Sequence, residues 1–180
     1  MEFTKNNVIV TRQNFEKSIL NELLSSMILC DTGVTRLSAK ILERQINSYE
    51  KSKSNVLENL ENIKRLSYEM NSVLKEGKIL ELGNLLEQHW NLKKQLDDKI
   101  SNDDIDKLHD FAKSHGAIGG KLLGAGGGGH FLFICKPEKR SLLVKKLIST
   151  GRNVLKFNFD SDGVSSWAIN NDKVVFLKSR

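Results

Sequence analysis

Apolar side chains recur at steps of three and four residues along much of this chain. The longest such stretch runs from Ser54 to Lys75, and its period is typical of an amphipathic helix that packs on a core. Gly77 follows, at the position where a left-handed residue ends a helix. The same spacing predicts helices over residues 13–24, 37–49, 79–96, 105–114 and 137–151.

Shorter apolar runs separate these helices. They are rich in β-branched and aromatic residues, which favours strands, and they lie at residues 26–30, 120–124, 130–135 and 154–159. Residues 164–169 and 174–177 predict a further hairpin. Strands with helices between them in this order predict an α+β fold in which an antiparallel sheet is backed by helices. The length of 180 residues suits a single domain.

The chain is basic, with a net charge of +6, and the excess lies in its second half. Residues 91–180 contain 16 Lys and Arg against 10 Asp and Glu, whereas residues 1–90 contain 12 of each. Such a field favours anionic ligands such as nucleotides and sugar phosphates. Nucleic acid is a weaker alternative, because the lysines alternate with acids at helical spacing and no aromatic ladder accompanies them.

Several other classes of function find little support in the sequence. No apolar run approaches the ~20 residues that span a bilayer, and the amino terminus has no apolar signal core, so we expect a cytoplasmic protein. Cys30 and Cys135 each end an apolar run, which favours reduced, buried thiols over a disulfide or a nucleophile. The acids from Asp103 to Asp110 and the four histidines lack metal-ligand spacing. We therefore expect no metal site on this chain.

One stretch concentrates the glycines. Seven of the 13 lie between Gly119 and Gly129, within GAIGGKLLGAGGGGHFLFIC at residues 116–135. The apolar flanks predict a strand, a glycine loop and a second strand. A glycine loop held by two strands directs several backbone N–H groups at one point, which suits an anion, and phosphate is the ligand we expect. His130, directly after the glycines, is positioned to contact it. A tight turn where two backbones pass closely is the alternative.

Three common phosphate-loop patterns do not fit this stretch. Gly124, Gly126 and Gly129 match G-x-G-x-x-G, but a strand rather than a helix follows, which argues against a dinucleotide-binding fold. The P-loop pattern fails because Leu122 stands where a metal-binding hydroxyl is needed. The protein-kinase pattern fails because neither H-R-D nor D-F-G follows the glycines.

Residues Lys121 to Phe133, KLLGAGGGGHFLF, resemble the third conserved motif of the GHMP small-molecule kinases. This family holds galactokinase, homoserine kinase, mevalonate kinase and phosphomevalonate kinase. Together with HWNLKKQL at residues 89–96 and ISNDDIDKL at residues 100–108, the motif is similar to the branch that phosphorylates D-glycero-D-manno-heptose 7-phosphate. The resemblance extends over about residues 20–170. It implies the ferredoxin-like arrangement of the family's C-terminal domain.

The resemblance also implies a set of site residues, although no catalytic residue is assigned. The phosphate or nucleotide loop would be Gly124, Ala125, Gly126, Gly127, Gly128 and Gly129. The residues expected near the sugar are Thr32, Gly33, Arg36 and Lys121. An arginine after a strand-end turn suits phosphate or carboxylate in its own right; the alternative is that Thr35 caps a helix and Arg36 is solvated. Asp31 stands where the family leads us to expect an aromatic residue.

Three side chains near the end of the predicted helix at 79–96 have two interpretations each. Trp90 would stack on a sugar ring or lie in the core, and a large aromatic on an apolar helix face is more often core. Lys93 or Lys94 would reach a substrate phosphate, or both would be solvated, which is the commoner case for lysine.

The resemblance finally implies that part of a kinase is missing. GHMP kinases bind ATP mainly through a serine-rich glycine loop, and their catalytic aspartate, where present, lies in the amino-terminal domain; neither segment occurs in this sequence. We therefore expect residues 1–180 to be the C-terminal half of a sugar kinase, with the glycine-loop core at about residues 85–160. The complete enzyme would use ATP and Mg²⁺, which this half alone would not bind tightly, and a separately encoded amino-terminal half would be its partner. A non-catalytic module that binds a phosphorylated metabolite is the alternative.

Overall fold

The structure is a computed structural model that describes residues 1–34, 42–44, 46–47, 49, 54–160, 166–170 and 173–177. Five helices are bounded in it: α1 (Lys17–Ser26), α2 (Ser54–Lys75), α3 (Ile79–Lys94), α4 (Asp103–Ser114) and α5 (Pro137–Ser149). Residues 42–44, 46–47 and 49, within the predicted helix at 37–49, are also helical. The helices therefore follow the apolar periodicity, with α1 beginning four residues later than predicted.

The local chemistry of the helix ends follows the sequence. The Asn102 side chain accepts hydrogen bonds from the N–H groups of Asp104 and Ile105, both at 3.1 Å, which is the arrangement of an N-cap. Gly77 has φ of +70° just after α2, as expected of a glycine that ends a helix. Pro137 occupies the first turn of α5, where its missing N–H has no helical partner to lose.

Within the described residues, eight strands form three antiparallel sheets. The strands are β1 (Glu2–Phe3), β2 (Val8–Ile9), β3 (Met27–Asp31), β4 (Ala117–Leu122), β5 (His130–Cys135), β6 (Val154–Leu155), β7 (Ser166–Asn170) and β8 (Lys173–Leu177). Pairs β1–β2 and β7–β8 are separate hairpins, and the central sheet has the order β4-β5-β3-β6. Numbered along the chain, the central order is 2-3-1-4, which is the ferredoxin-like split βαβ arrangement. The predicted α+β class with an antiparallel sheet is confirmed.

The prediction of a strand over residues 154–159 is wrong in its length. Only Val154 and Leu155 pair with β3, opposite Cys30 and Leu29. A longer β6 would bring its next residues opposite Met27, but the Met27 carbonyl accepts a hydrogen bond from Arg140 Nε at 2.9 Å. The side chain from α5 therefore takes the position that further strand pairing would need.

The central sheet is covered on both faces. Side chains of β3 and β5 that alternate along the strands, such as Ile28, Phe131 and Phe133, pack with α4 and α5 in one buried cluster. The opposite set, including Ile134, packs with α1, α2 and α3 in a second cluster. Trp90 of α3 is fully buried and meets the Phe131 ring edge-on, with 5.4 Å between centroids. This contact makes Trp90 a core residue. No helix in the described ranges is both long and apolar enough to cross a membrane.

Helix α3 lies very close to β4 because two glycines face each other. A Cβ on Gly119 would lie 2.2 Å from the carbonyl oxygen of Gly83 and 2.8 Å from Cβ of Glu87. A Cβ on Gly83 would instead meet the side chains of Ile118 and Ile134 at 3.1 Å. Gly119 is thus a residue whose missing side chain lets two backbones approach. This contact fixes α3, and the side chains at its C-terminal end, relative to the glycine loop.

Both cysteines are free and fully buried. Burial raises the pKa of the Cys30 thiol and of the Cys135 thiol to about 11. Because the thiolate is the reactive form, we expect the native protein at pH 8 to react with a thiol reagent about 100-fold more slowly than the urea-unfolded chain. Thiol labelling followed with and without urea measures this ratio. Equal rates in the two states would contradict the buried arrangement.

Candidate phosphate-binding site

The glycine loop, residues 123–129, joins β4 to β5 at one end of the central sheet. Three of its N–H groups have partners inside the protein: Leu123 donates to the His130 carbonyl across the loop at 2.9 Å. Gly127 donates to the Ile100 carbonyl at 2.8 Å, and Gly129 donates to the Val34 carbonyl at 2.9 Å. The bonds of Gly127 and Gly129 anchor the second half of the loop to the segment before α4 and to the segment after β3.

The loop requires glycine for two different reasons. All five of its glycines have positive φ, from +71° at Gly124 to +157° at Gly128, a region that costs an L-residue free energy. In addition, a Cβ on Gly128 would lie 2.2 Å from the Val34 carbonyl oxygen, and one on Gly126 would lie 2.9 Å from Cα of Ile100. The sequence Gly126-Gly127-Gly128-Gly129 therefore reflects both backbone conformation and close packing.

The first half of the loop is open. Within the described residues, no acceptor pairs with the N–H groups of Gly124, Ala125, Gly126 or Gly128. Gly124 is exposed, and a Cβ placed on it would have nothing within 4 Å. A backbone donor without an internal partner is available to water or to an anion. The loop is therefore anchored through Gly127 and Gly129, and its exposed residue Gly124 offers an unpaired N–H group at the surface.

Thr32 links β3 to the end of the glycine loop. Its N–H and its hydroxyl both donate to the Gly129 carbonyl, at 2.8 and 2.9 Å, and the residue is 1% exposed. The hydroxyl thus has a partner inside the chain, and in this structure it orients the loop. The predicted contact of Thr32 with the sugar stays a prediction.

Gly33 lies in a turn stabilised by Asp31, whose carboxylate accepts the Gly33 N–H at 2.9 Å. Gly33 has φ of +68°, and the Arg152 guanidinium lies 3.1 Å from the position of an added Cβ. Arg152 also donates to the Thr32 carbonyl, so a guanidinium does stand at this strand end, although it comes from a different part of the chain. Arg36, the arginine predicted here, lies outside the described residues.

Lys121 is half-buried on β4, and its ammonium lies 3.1 Å from His89 Nε2. An ammonium can only donate, so Nε2 is the acceptor and the imidazole proton resides on Nδ1. Nδ1 is buried and has no hydrogen-bond partner among the described residues. Burial lowers the pKa of His89 to about 4, with the charges of Lys121 and Lys93 adding to the effect. His89 is therefore neutral at pH 7.

The sequence left two interpretations of Lys93 open, contact with a phosphate or exposure to solvent, and it favoured exposure. The prediction that Lys93 is solvated is wrong. Lys93 is only 8% exposed, and its ammonium donates to the carbonyls of Gly124 at 2.5 Å and Leu122 at 3.2 Å. The periodicity contained a usable signal, because Lys93 continues the buried stripe of α3 three residues after Trp90. Lys94, by contrast, lies 3.7 Å from Asp106 at the surface.

The two lysines form a cationic cluster with His89, which we call the basic cluster (His89, Lys93, Lys121). Burial lowers the pKa of Lys93 to about 8, with a further contribution from the charge of Lys121. Burial also lowers the pKa of Lys121. No carboxylate in the described part of the chain forms an ion pair with either lysine. At neutral pH the basic cluster thus carries positive charge beside the first, open half of the glycine loop.

The pKa of Lys93 gives stability a characteristic pH dependence. Below pH 8 the lysine is charged in both native and unfolded chains, but between about 8 and 10.5 the unfolded chain binds more protons, so the native state gains stability as pH rises. We expect wild type to gain about 1 to 3 kcal/mol over this window relative to Lys93→Met. Urea unfolding of both proteins from pH 7 to 10.5 measures the difference in their free energies of unfolding. Because both proteins contain the same two cysteines, the cysteine titrations cancel in this difference. Lys94→Met should parallel wild type; a Lys93→Met curve that also does so would contradict the prediction.

The remaining titratable groups near the sheet are paired with one another. His109 Nε2 lies 3.0 Å from Glu87, and Glu87 lies 3.9 Å from Lys113. Burial alone would raise the pKa of Glu87, but the hydrogen bond with His109 and the charges of His109 and Lys113 hold it below its ordinary value. His130 is half-buried; its carbonyl accepts the Leu123 N–H at 2.9 Å, whereas its ring makes no hydrogen bond to a described residue. The described residues contain no group of three His, Cys, Asp or Glu suited to hold a metal ion.

Comparison with known proteins identifies relatives over most of the chain. Residues 70–153 match the family model described as GHMP kinases C terminal. A D-glycero-alpha-D-manno-heptose 7-phosphate kinase of Campylobacter jejuni is 33% identical over 170 residues, which are 94% of this chain and 50% of that protein. The solved structure of a putative sugar kinase from Campylobacter jejuni is 28% identical, with a TM-score of 0.66, and the match covers 97% of this chain and 46% of that one.

A third relative supports the fold alone. The structure of a D-glycero-D-manno-heptose 1-phosphate kinase from Bacteroides thetaiotaomicron is 23% identical, with a TM-score of 0.55, over 87% of this chain and 40% of that one. In each of these comparisons the chain spans half the length of the relative or less. The counterpart of this chain is therefore a segment of each relative rather than the whole protein.

Proposed function

We propose that this chain is the C-terminal half of a GHMP-type sugar kinase that transfers a phosphoryl group from ATP to a sugar hydroxyl, because residues 70–153 match the model of the GHMP kinase C-terminal domain. Its relative over 94% of the chain is a heptose 7-phosphate kinase, so a heptose 7-phosphate or a related sugar phosphate is the proposed substrate. The glycine-loop core at about residues 85–160 and the helices around it would form one domain of the complete enzyme.

The observation that carries the proposal is the glycine loop with unpaired N–H groups between β4 and β5. Phosphoryl transfer needs donors that are already oriented toward the charge on the transferring group. Backbone N–H groups fixed by the anchors at Gly127 and Gly129 supply such donors without side-chain reorganisation. We propose that the loop from Gly124 to Gly129 lines the phosphoryl-transfer region.

The sugar would lie beside this region, toward the end of β3. We propose that Gly33, Arg36 and Lys121 contact it and that Thr32 orients the loop next to it. The hydrogen bonds from Thr32 to Gly129 and the turn at Gly33 support a shared site, because they join the β3 end to the loop.

The proposal assigns ATP and Mg²⁺ to the complete enzyme. Mg²⁺ in the complete enzyme would supply neutralisation of phosphate charge. The free N–H groups of the glycine loop suit a phosphate, whereas the metal ligands, the nucleotide-binding loop and the group that orients the hydroxyl would belong to an amino-terminal half. We expect this chain alone to bind neither ATP nor Mg²⁺ tightly.

The test is reconstitution of activity from two halves. The purified chain is assayed for ADP formation with ATP, Mg²⁺ and heptose 7-phosphate, alone and mixed with the amino-terminal half of the Campylobacter jejuni kinase that it resembles. We expect turnover only in the mixture, and calorimetry should detect association of the two proteins.

The two ways of failing are distinct. Turnover by the chain alone would contradict its assignment as an incomplete half. Association without turnover, together with tight binding of a sugar phosphate by the chain alone, would instead support a module that binds a phosphorylated metabolite without chemistry.

A further inference from the structure

We propose that the basic cluster, together with the N–H of Gly124, binds the phosphate ester that the sugar substrate already carries, a group that is not transferred. This inference rests on the proposed kinase function and narrows its substrate class to sugars that enter the reaction phosphorylated. It assigns a binding role to His89 and Lys93, two residues of α3 that lie outside the glycine motif.

The basic cluster carries positive charge that no described carboxylate compensates. Lys93 and Lys121 are close enough for the charge of one to disfavour the charge of the other, and neither has a carboxylate partner among the described residues. Two acids of the surrounding helices pair with other cations: Glu87 pairs with His109, and Asp106 pairs with Lys94. A phosphate monoester at pH 7 carries a charge of about −1.5 to −2, which matches two uncompensated lysines.

The basic cluster and the start of the glycine loop also contain hydrogen-bond donors that are not used within the described part of the protein. An ammonium has three N–H groups, and Lys93 uses two of them on the carbonyls of Leu122 and Gly124. His89 presents a buried Nδ1–H that no described residue accepts. The N–H of Gly124 also lacks a described acceptor and lies at the surface. Unused donors with no acceptor beside them indicate a site for an acceptor-only ligand, and a phosphate oxygen is such a ligand.

The basic cluster lies at the opposite end of the glycine loop from the anchor at Gly129. The anchored half of the glycine loop bonds through Gly127 to the segment before α4 and through Gly129 to the segment after β3, whereas the basic cluster borders its first glycine, Gly124. The two ends of the loop thus have separate surroundings. A phosphate held at the first end would act as a remote handle that orients the sugar, and binding energy from such a handle supports catalysis through positioning.

The experiment is an NMR titration of the chain labelled on histidine rings. The probes are heptose 7-phosphate, the same heptose without phosphate, inorganic phosphate and ATP without metal. We expect the His89 ring signals to shift with heptose 7-phosphate and with inorganic phosphate. The unphosphorylated heptose should bind at least about 10-fold more weakly, because each charge-assisted hydrogen bond that is lost accounts for about one order of magnitude in affinity.

Matched variants separate binding from folding. Lys93→Met and Lys121→Gln should each weaken heptose 7-phosphate binding by about 10-fold or more. Lys93→Met, which replaces a lysine with no proposed sugar contact, should leave the weak binding of the unphosphorylated heptose unchanged. Lys94 lies next to Lys93 on α3 but pairs with Asp106. The control variant Lys94→Gln should therefore bind heptose 7-phosphate as wild type does. Retention of the backbone NMR spectrum checks that each variant is folded.

Several outcomes would overturn the inference. These are an unmoved His89 signal, equal affinity for the two heptoses, unchanged affinity in Lys121→Gln, or preferential binding of ATP, which would assign the cluster to the nucleotide. Turnover of unphosphorylated heptose as efficient as that of heptose 7-phosphate in the reconstituted kinase would also overturn it while leaving the kinase function intact. Failure of all turnover, with phosphate binding at His89 preserved, would reject the kinase function instead.

Discussion

Replacing Gly119 with alanine is expected to destabilise the protein by about 3 kcal/mol or more, since overpacking against a backbone that cannot move aside lies at the upper end of such costs. The added methyl would lie 2.2 Å from the Gly83 carbonyl oxygen, and relief requires α3 to separate from β4. Urea unfolding monitored by circular dichroism gives the change in free energy of unfolding. Because α3 also carries His89 and Lys93, the same substitution should displace the basic cluster.

The matched control is Gly83→Ala, on the other side of the same contact. Its methyl would meet only side chains, at 3.1 Å, and alanine is favoured over glycine within a helix by about 1 kcal/mol. We expect its stability to stay within about 1 kcal/mol of wild type. Equal losses for the two variants would mean that the backbone contact does not determine how closely α3 approaches the sheet.

Gly128→Ala should have the largest effect on activity. A methyl there would lie 2.2 Å from the Val34 carbonyl oxygen, which also accepts the N–H of Gly129. The loop must therefore move, and its N–H groups lose their common orientation. Loss of one preorganised donor typically lowers kcat by about 100- to 1000-fold, and we expect at least the lower figure for kcat/KM in the reconstituted kinase.

Gly151→Ala is the control for the backbone conformation alone. Gly151 also has positive φ, +82°, but it follows α5 and has nothing within 4 Å of an added Cβ. The variant should be less stable by about 1 to 2 kcal/mol and keep wild-type activity at temperatures where it is folded. Wild-type kcat/KM in Gly128→Ala would exclude the loop from the phosphoryl-transfer region.

The helices illustrate what periodicity can predict. The apolar stripe of residues 54–75 predicts α2 through to its end at Lys75, because an amphipathic helix is specified by neighbours three and four positions apart. The predicted strand at 154–159 is longer than β6 because its length depends on a residue far away in the chain. Arg140 of α5 donates a hydrogen bond to the Met27 carbonyl, which a longer strand would need. The alternation of Val154 to Phe159 contains no information about that competition.

The glycines illustrate the same division within one motif. The sequence alone offered two interpretations of the run, an anion loop or a close passage of backbones, and the structure contains both features in different places. Gly119 serves the approach of α3, whereas the unpaired N–H groups begin at Gly124. Composition could locate the glycine run but could not tell which glycines permit close packing and which leave N–H groups unpaired. That distinction depends on which element packs against each glycine.

The sequence by itself determined the fold class, the positions of the helices and the glycine loop between two strands, since each depends on local pattern, turn chemistry or a contiguous motif. Only the tertiary structure decided that Lys93 is buried against the loop, that Thr32 uses its hydroxyl on Gly129, and that Arg152 reaches the end of β3. Each of these contacts joins residues at least 29 positions apart in the chain. Their geometry is set by how closely helices and sheet pack, which no local pattern of residues encodes.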